Sequence, residues 1–544
     1  MRILTASDRA LLVEADDLDE AMRLGIAWDG VPGVVERIPG ARTVLVRFDP
    51  VRTTAAALAE TFEATVLDTA HVPSTGEVEV PVHYDGEDLA ELAGLLDVSA
   101  EALVARHLAA GWQVAFSGFA PGFGYVVGDD PFFAVPRRSS PRTRVPAGSV
   151  ALAGEFTGVY PRESPGGWQL IGRTDAVMWD IDRDPPALLA PGVRVRFMDA
   201  GAEKLRLAPL DDPQAGAGGP GAGAEPVGSS SERSGTERGE RGEGESRSPA
   251  PGVELVRPGI QVLVQDAGRP GHAALGVSAS GAADRIALCD ANRAVGNDPG
   301  AAVLEIVGAA TLRFHGDGVA AVTGAVGELT VTDASGVSFA VAHGAPFATA
   351  DGDELRLGHP VRGLRCTVAV RGGLVPASAL GSRAADTLAG LGPAPLAAGS
   401  VVPIGAAAPR AVDPVALPRE LPAVGDVVEL AITLGPRDDW FTPTAITTLT
   451  GQEWEVTPRS DRVGIRLHGA TPLERATGGE LPSEGAVTGA IQVPPDGQPV
   501  LFLPDHPLTG GYPIVGALTD RALDVAAQLP PGARIRFRIE EGLS

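Results

Sequence analysis

Short apolar stretches alternate with segments of helical spacing at the start of the chain. Strands are predicted where apolar residues cluster or alternate, and amphipathic helices where they recur every three or four positions. The predicted strands cover residues 3–13, 34–38, 44–48 and 78–84, and the predicted helices cover residues 18–28 and 54–65. The order β-α-β-β-α-β is typical of a ferredoxin-like sandwich. We therefore predict an α+β domain of this kind over residues 1–75.

Strand patterns separated by glycine and proline turns dominate the remainder of the chain. Helical spacing recurs only at residues 88–96, 100–109 and 283–295. Many short strands with regular turn signals predict barrels or folded sheets. The expected fold class is thus α+β and mostly β, with β-barrel domains following the N-terminal domain. These β-barrel domains are placed at residues 76–208, 251–415 and 416–544.

Residues 209–250 interrupt this pattern with a run rich in Gly, Ser, Glu and Arg. The run contains no aromatic residue and no apolar periodicity, so it lacks the surface needed to form a core. It is predicted to be a disordered linker of about 40 residues. The linker divides the chain into a first lobe, residues 1–208, and a second lobe, residues 251–544.

Three short motifs of the first lobe recur in the same order in the second. VPAGSV, TGVYP and PGVRVRF correspond loosely to VPPDGQPV, TGGYP and PGARIRF. Ordered recurrence of this kind indicates an internal repeat. The barrel after residue 76 is therefore predicted to be related to the last barrel of the chain.

Composition narrows the classes of function. The formal net charge is −25 and the pI is about 4.8, so nucleic acids and anionic membranes are not expected as partners. The N-terminal residues lack the apolar core of a signal peptide, and no segment has the roughly 18 apolar residues of a membrane span. Two cysteines, Cys289 and Cys366, exclude a disulfide framework. We expect a cytoplasmic enzyme or binding protein.

Lys204 is the only lysine of the chain, and it does not follow a glycine-rich loop. A Walker A phosphate loop needs such a lysine, and a biotin carrier needs one to bear the cofactor. The chain is therefore expected to carry no biotin. Any bound anion must be held by arginine and by backbone N–H groups.

Glycine and proline are densest between residues 116 and 168, among polar side chains. These two residue types build tightly shaped loops, which often carry function, although a β domain with many turns has the same composition. Arg142 and Arg144 are candidate anion clamps or, alternatively, members of structural salt bridges. Ser164 and Gly167 are candidates for a backbone cradle or a plain tight turn.

The longest motifs carry a resemblance to known families. GFAPGFGY, PRTRVPAGSV and TGVYPRESPGGWQLIGRT of the first lobe resemble the allophanate hydrolase subunit 1 family, which includes the B subunit of 5-oxoprolinase and KipI. VQDAGRPG, SGAADRIALCDANRAVGN, LGSRAADT, SDRVGIRL and GGELPSEGAVTGAIQVPPDGQP of the second lobe resemble the subunit 2 family, which includes the C subunit of 5-oxoprolinase and KipA. The chain looks like a fusion of two subunits that are usually separate.

The resemblance implies cyclophilin-like barrels and a choice of functions. The first is the fused B and C component of an ATP-dependent 5-oxoprolinase, which opens 5-oxo-L-proline to L-glutamate with a separate A subunit. The second is the carboxyltransferase component of a biotin-dependent urea or amide carboxylase. The third is a non-enzymatic histidine kinase regulator of the KipI and KipA type. ATP as co-substrate, bound here or by the partner, Mg²⁺ with it, and a homodimer of the fused chain are also implied.

Candidate site residues follow from the polar side chains near these motifs. His107 is a candidate general base, although a core or capping histidine fits its apolar neighbours equally well. Asp284 and Asp461 are the other candidate catalytic residues, and no metal ligands are predicted. Candidate substrate- or nucleotide-binding residues of the second lobe are Gln265, Arg269, Arg383, Asp386, Arg462, Glu484, Gln492, Thr509 and Tyr512. Buried acid–arginine pairs that only hold loops together are the alternative.

Overall fold

A computed structural model describes residues 1–67, 74–138, 140, 142–201, 251–407, 410–413, 419–479 and 481–540. The predicted linker at residues 209–250 lies outside the described residues. The structure is mostly β, and the longest described helix has 11 residues, so none of the described helices is long enough to cross a membrane.

The N-terminal unit is a four-stranded antiparallel sheet with two helices, in the sheet order β1-β2-β4-β3. Both helices begin at a polar cap, since Asp17 accepts from the Glu20 N–H and Thr54 from the Ala57 N–H. The elements are β1 (Arg2–Ser7), β2 (Ala10–Glu14), α1 (Leu18–Ala27), β3 (Val34–Pro39), β4 (Thr43–Phe48) and α2 (Ala55–Glu63).

This unit differs from the predicted β-α-β-β-α-β order in two ways. The apolar stretch at residues 3–13 is a hairpin, because the polar residues Ser7 to Arg9 form a turn in its middle. The strand predicted at residues 78–84 joins the next sheet, and β1 occupies an edge of this one. The ferredoxin-like prediction is corrected on these two points.

The next unit is a seven-stranded sheet in the order β12-β9-β10-β7-β6-β13-β5. Its two edges meet where His83 and Arg173 exchange backbone hydrogen bonds of 2.8 and 2.9 Å, which closes the sheet on itself. The elements are β5 (Gly76–Val82), α3 (Leu89–Leu95), α4 (Ala100–Ala109), β6 (Trp112–Ser117), β7 (Gly124–Gly128), β8 (Arg142–Val145), β9 (Ser149–Ala153), β10 (Phe156–Val159), β11 (Ser164–Gly166), β12 (Gln169–Arg173) and β13 (Val193–Asp199).

Residues 251–407 form two sheets, of six and five strands, around one shared apolar core. A closed barrel was predicted here, but the chain divides its strands between two sheets whose inner faces pack together. The elements are β14 (Gly252–Arg257), β15 (Gln261–Gln265), α5 (Arg285–Val295), β16 (Val303–Val307), β17 (Ala310–His315), β18 (Gly318–Val326), β19 (Leu329–Thr332), β20 (Ser338–Ala340), β21 (Phe347–Thr349), β22 (Glu354–Leu357), β23 (Arg362–Val370) and β24 (Val401–Pro403).

The C-terminal unit is a closed seven-stranded barrel in the order β25-β32-β29-β30-β27-β26-β33. The elements are β25 (Val427–Leu434), α6 (Pro443–Gly451), β26 (Trp454–Val456), β27 (Gly464–His468), β28 (Glu484–Gly485), β29 (Ala490–Gln492), β30 (Val500–Phe502), β31 (Thr509–Gly510), β32 (Ile514–Leu518), α7 (Asp520–Ala526) and β33 (Arg534–Ile539).

The two barrels have the same strand order, which agrees with the predicted internal repeat. In each, the last strand lies parallel to the first, β13 beside β5 and β33 beside β25. PGVRVRF and PGARIRF fall on these equivalent last strands. The other two motif pairs do not fall on equivalent elements, since TGVYP lies on and after β10 whereas TGGYP begins at β31, whose counterpart is β11.

A tryptophan anchors the helix of each barrel in the same way. The Trp112 indole N–H donates to the His107 carbonyl at 2.8 Å, and the Trp454 indole N–H donates to the Leu449 carbonyl at 2.9 Å. His107 and Leu449 therefore occupy equivalent positions in the repeat. An apolar residue at one of them indicates a core position in both.

His107 lies inside the first barrel with none of its surface exposed. Its Nε2 lies 3.1 Å from the Thr157 hydroxyl, which itself donates to the Ala151 carbonyl, so Nε2 carries the proton. Its Nδ1 accepts from the Tyr84 hydroxyl at 2.9 Å. Burial lowers the pKa of His107 to about 3. This placement favours the core histidine over the general base.

His107→Leu should weaken the dependence of the free energy of unfolding on pH below neutrality. The unfolded chain takes up a proton at His107 below its ordinary pKa of 6.5, whereas the folded chain does so only near 3. As the pH decreases from 6.5 towards 3, this protonation should lower the free energy of unfolding of the wild type by about 1.4 kcal/mol for each pH unit. The variant lacks the histidine and should therefore lose this dependence on pH. Urea unfolding between pH 7 and 4 measures it.

The variant should also be less stable at pH 7, by about 1–3 kcal/mol, because Tyr84 and Thr157 lose their partner. The exposed His468→Gln serves as the control and should follow the wild type. An unchanged pH dependence in His107→Leu would contradict the neutral, buried state of this histidine.

Candidate functional site

The glycine-rich loop between β6 and β7 contacts the second lobe directly. The Phe119 N–H donates to the Thr509 hydroxyl at 3.0 Å, and the Tyr125 hydroxyl lies 3.2 Å from the same oxygen. A Cβ at Gly118 would lie 2.4 Å from Thr509 Oγ1, so only glycine permits this approach. The predicted site residue Thr509 is thus a contact between the lobes.

A cleft of about 480 Å³ opens along this interface. Arg437 of the second lobe binds two carboxylates there, with Nε 2.9 Å from Glu484 Oε2 and Nη1 on Glu14 of the first lobe. Burial raises the pKa of Glu484, and Arg437 opposes this shift. The charged residues that line the cleft come from both lobes and are Arg2, Glu14, Asp16, Arg42, Arg437, Asp439 and Glu484.

The segment of residues 386–392 is a second meeting point. Arg162 of the first lobe donates to the Leu388 carbonyl. From the C-terminal barrel, Asp505 accepts from the Thr387 backbone N–H at 2.9 Å and from its hydroxyl at 2.7 Å. Both barrels and the two-sheet unit therefore meet at this segment.

Arg462 is the centre of a fully buried ion network behind this segment. Its Nε and Nη2 each lie 3.0 Å from Asp505, and its Nη1 lies 2.5 Å from Glu305 on β16. Burial opposes both charges, yet the pairing keeps the pKa of Asp505 below and that of Arg462 above their usual values. The network joins the C-terminal barrel to the two-sheet unit.

Buried polar atoms without a hydrogen-bond partner among the described residues include Gln265 Oε1, Arg269 Nη1 and Arg365 Nε, the last of which lies 3.6 Å from Glu305 of the network. Gln265 donates to the Ala385 carbonyl, and Arg269 donates to that of the adjacent Ala384. Their side chains therefore end at neighbouring peptide units of one loop. The unpaired donor Arg269 Nη1 and the unpaired acceptor Gln265 Oε1 can therefore bind a ligand that carries both a hydrogen-bond acceptor and a donor.

Asp386 lies on the same loop and is buried. It accepts from the Ser278 hydroxyl at 2.8 Å. Burial and then the charge of Asp505 raise the pKa of Asp386. A carboxyl group of this kind can hold a proton at higher pH than an exposed one and can transfer it.

Arg383 is half-buried, and its guanidinium group has no partner among the described residues, whereas its backbone N–H donates to Asp266 at 2.6 Å. Asp266 also accepts from the Ser382 hydroxyl. The structure thus brings Gln265, Arg269, Arg383, Asp386 and Arg462 together around residues 379–392.

Asp284 and Asp461 lie in structural positions. Asp284 caps α5 by accepting from the Ala287 N–H at 2.9 Å and binds Gln528 and Arg419, while burial raises its pKa. Asp461 is exposed and accepts from two N–H groups of its own loop. Among the described contacts, neither carboxylate touches Gln265 or Arg269, which carry the unpaired atoms. Asp284 thus acts as a helix cap and Asp461 as part of a loop turn, and the catalytic role of both stays a prediction.

Gln492 and Tyr512 contact each other weakly, with Gln492 Nε2 3.4 Å from the Tyr512 carbonyl. The guanidinium group of Arg475 lies 5.9 Å from the centre of the Tyr512 ring. These two predicted site residues are therefore packed beside β31 rather than around residues 379–392.

The first-lobe candidates are occupied by structural contacts. Arg142 forms a two-pronged pair with the buried Asp88, at 2.8 and 2.9 Å. Arg144 pairs with Glu163 at the surface. Ser164 donates to the Arg162 carbonyl, and the Gly167 carbonyl accepts from Arg138. Arg142 and Arg144 thus form salt bridges, the alternative given for them, while Ser164 lies on β11 and Gly167 directly follows it. The anion clamp and the backbone cradle stay predictions.

Sequence reasoning missed Asp505, Arg437 and Glu14. Asp505 follows β30 in the run LPDHP, where an acid between prolines after an apolar strand could have marked it. Arg437 and Glu14 lie far apart in sequence and in different lobes, so no local pattern pairs them.

Comparison with known proteins places this architecture in a family. Residues 1–189 match the carboxyltransferase domain, subdomains C and D, and residues 275–539 match its subdomains A and B. The chain belongs to this carboxyltransferase-domain family, and it joins in one polypeptide the counterparts of two separate subunits.

Those counterparts belong to 5-oxoprolinase. The chain is 34% identical over 298 residues to the C subunit of 5-oxoprolinase from Escherichia coli (strain K12), and the match covers 54% of this chain and 93% of that protein. It is 40% identical over 172 residues to the B subunit of 5-oxoprolinase from Escherichia coli O157:H7, and this match covers 31% of this chain and 79% of that protein.

The chain is also similar to part of a much longer protein and to a protein of nearly the same length. The urea amidolyase of Lachancea kluyveri is 30% identical over 313 residues, which are 52% of this chain but 17% of that protein. The crystal structure of TTHA0988 superposes with a TM-score of 0.77 at 32% identity and covers 97% of this chain and 100% of that one.

Arg462→Met should destabilise the protein by about 3–5 kcal/mol, because it leaves the buried Asp505 without an ion-pair partner among the described residues and leaves Glu305 only with Arg365, whose Nε lies 3.6 Å away. Arg466→Met is the matched control, since Arg466 lies four residues away and is exposed, and it should change the free energy of unfolding by less than about 0.5 kcal/mol. Urea unfolding of both variants measures the difference. If both variants lowered the free energy of unfolding equally, the buried network would not stabilise the protein as described.

Proposed function

We propose that this protein is the fused B and C component of an ATP-dependent 5-oxoprolinase, which converts 5-oxo-L-proline to L-glutamate together with a separate A-like subunit. The similarity of one chain to most of the B subunit and nearly all of the C subunit is the observation that carries the proposal. The direct contacts between the two lobes support it, because they unite the B-like and C-like parts in one body.

The reaction defines what a site must supply. Resonance makes a lactam carbonyl a poor electrophile, and phosphorylation of its oxygen by ATP makes the carbon reactive. Phosphoryl transfer releases ADP, water then adds to that carbon, and the C–N bond of the ring breaks, so that the nitrogen becomes the amine of a glutamyl phosphate. A second water molecule hydrolyses this acyl phosphate to glutamate and phosphate. Such a site needs donors for the oxygen, a cation for the carboxylate and a group that accepts the proton of water.

The loop at residues 379–392 offers groups of these types. Arg269 Nη1 is a buried, unpaired donor suited to the lactam oxygen, and Gln265 Oε1 is a buried, unpaired acceptor suited to the lactam N–H. The free guanidinium group of Arg383 suits the substrate carboxylate. Asp386, whose pKa is raised, is our candidate for proton transfer.

The nucleotide is assigned to the partner subunit in this proposal. Among the described residues, no group of three or more His, Cys, Asp or Glu side chains is arranged to hold a metal ion. The A-like subunit would then bring Mg²⁺ and ATP to the lobes. The homodimer of the fused chain stays a prediction, which light scattering of the purified protein can check.

A carboxyltransferase component of a urea or amide carboxylase is the second candidate. It is favoured by the match of both lobes to carboxyltransferase subdomains and by the similarity to urea amidolyase. With a single lysine, Lys204, outside any carrier motif, such a component would need its biotin carrier and its carboxylase on other chains.

Arg383→Gln should lower kcat/KM for glutamate release by about thirtyfold to a hundredfold, since a charge-assisted contact is worth about 2–3 kcal/mol. The assay combines the fused chain, an A-like subunit, 5-oxo-L-proline and ATP. Arg194→Gln is the control, because Arg194 is an exposed strand arginine of the first barrel without a partner among the described residues.

Glutamate release only from the complete mixture is the expected result. If that mixture is silent and a biotinylated carrier supports carboxylation of urea instead, the second candidate replaces the first. Silence in both assays would leave the kinase-regulator hypothesis. Activity of Arg383→Gln equal to that of Arg194→Gln would remove Arg383 from the substrate site.

A further inference from the structure

The outer face of the six-stranded sheet carries two rows of side chains that differ in charge pattern. In the first row, Arg313 of β17 lies between Glu254 of β14 and Glu354 of β22. Its guanidinium group binds both carboxylates, at 3.0 and 2.6 Å. Acid, base and acid thus alternate across three neighbouring strands, and the one guanidinium group pairs with both carboxylates.

The second row has the opposite arrangement. Thr311 of β17 lies opposite Arg257 of β14 on one side and Arg356 of β22 on the other. With neighbouring strands about 4.8 Å apart, the backbones of the two arginines are roughly 10 Å apart. Among the described residues, neither guanidinium group has a hydrogen-bond or ion-pair partner. The position between them lacks the counter-charge that the first row supplies.

A cleft of about 680 Å³ lies over this second row. Its lining includes both arginines, Thr311, the exposed His359 and one carboxylate, Glu328, which accepts a hydrogen bond from the Thr330 hydroxyl. Ile260 and Val361 line the same cleft and are 84% and 73% exposed. The cleft thus combines two free guanidinium groups, one carboxylate, a hydroxyl and an apolar wall, and its volume is in the range of small-ligand sites.

The two free arginines of the second row contrast with the overall charge of the chain. The chain has a net charge of −25, so most of its surface repels anions. Arg313 on the same sheet face is paired with glutamate on both sides. Two unpaired guanidinium groups that flank one hydroxyl therefore mark a place where a planar oxyanion can bind through several N–H donors at once.

We propose that this cleft binds a small organic anion. A carboxylate or phosphate group of the ligand lies over Thr311 between Arg257 and Arg356, and its apolar part contacts Ile260 and Val361. The ligand completes the second row as Arg313 completes the first, with the charges reversed. This site lies on the two-sheet unit and is separate from residues 379–392, so it does not depend on the proposed reaction.

Calorimetric titration of the full chain tests the proposal, with inorganic phosphate and malonate as separate probes at constant ionic strength adjusted with sodium chloride. The wild type should bind at least one probe saturably at one site. Arg257→Gln and Arg356→Gln should each raise the Kd at least about tenfold, and Arg194→Gln, the exposed unpaired arginine of the first barrel, should leave it unchanged. Tighter binding of phosphate indicates a phosphorylated ligand, and tighter binding of malonate a dicarboxylate.

Thr311→Glu supplies an independent check. A carboxylate at this position should pair with both arginines, raise the Tm in the absence of either probe and abolish probe binding. Absence of saturable binding by the wild type, or equal binding by the wild type and all four variants, would overturn the proposal. Because all four positions lie on exposed or half-exposed strand faces, circular dichroism should show an unchanged fold.

Discussion

The buried pairing of Arg462 with Asp505 and Glu305 is the interaction on which the second lobe depends. Each charge would be costly alone in the interior, and each is tolerated because the others are held within hydrogen-bond distance. The three residues come from a barrel loop, the segment after a barrel strand and a strand of the two-sheet unit. Their pairing therefore requires both units to be folded and docked, and it holds the loop of residues 379–392 in place.

Equivalent loops of the two barrels make different contacts. The loop after β6 contacts Thr509, and the loop after β26 carries Arg462. Duplication of one barrel has thus produced two loops with different chemistry. The first is rich in glycine and allows close backbone approach, and the second is charged and builds an ion network.

Patterns that are local in sequence were predicted well. Helices with polar caps, such as α1 after Asp17, and the β-rich character of both barrels follow from spacing and turn residues. The hairpin of β1 and β2 was missed, although the three polar residues Ser7 to Arg9 interrupt the apolar stretch and mark the turn. The division of β14 to β24 into two sheets was missed too, because strand pairing between distant segments leaves no local signal.

The candidate site was predictable only where its residues stand in local sequence motifs. Arg269, Asp386 and Arg462 stand in motifs rich in glycine, and the structure gathers them. Glu14 and Arg437 are 423 positions apart and meet only through docking of the lobes. The first and last strands of each barrel run parallel, so the chain enters the barrel at one end and leaves it at the other. Domains with this topology can follow one another in a single polypeptide without a connection that returns along the length of the barrel.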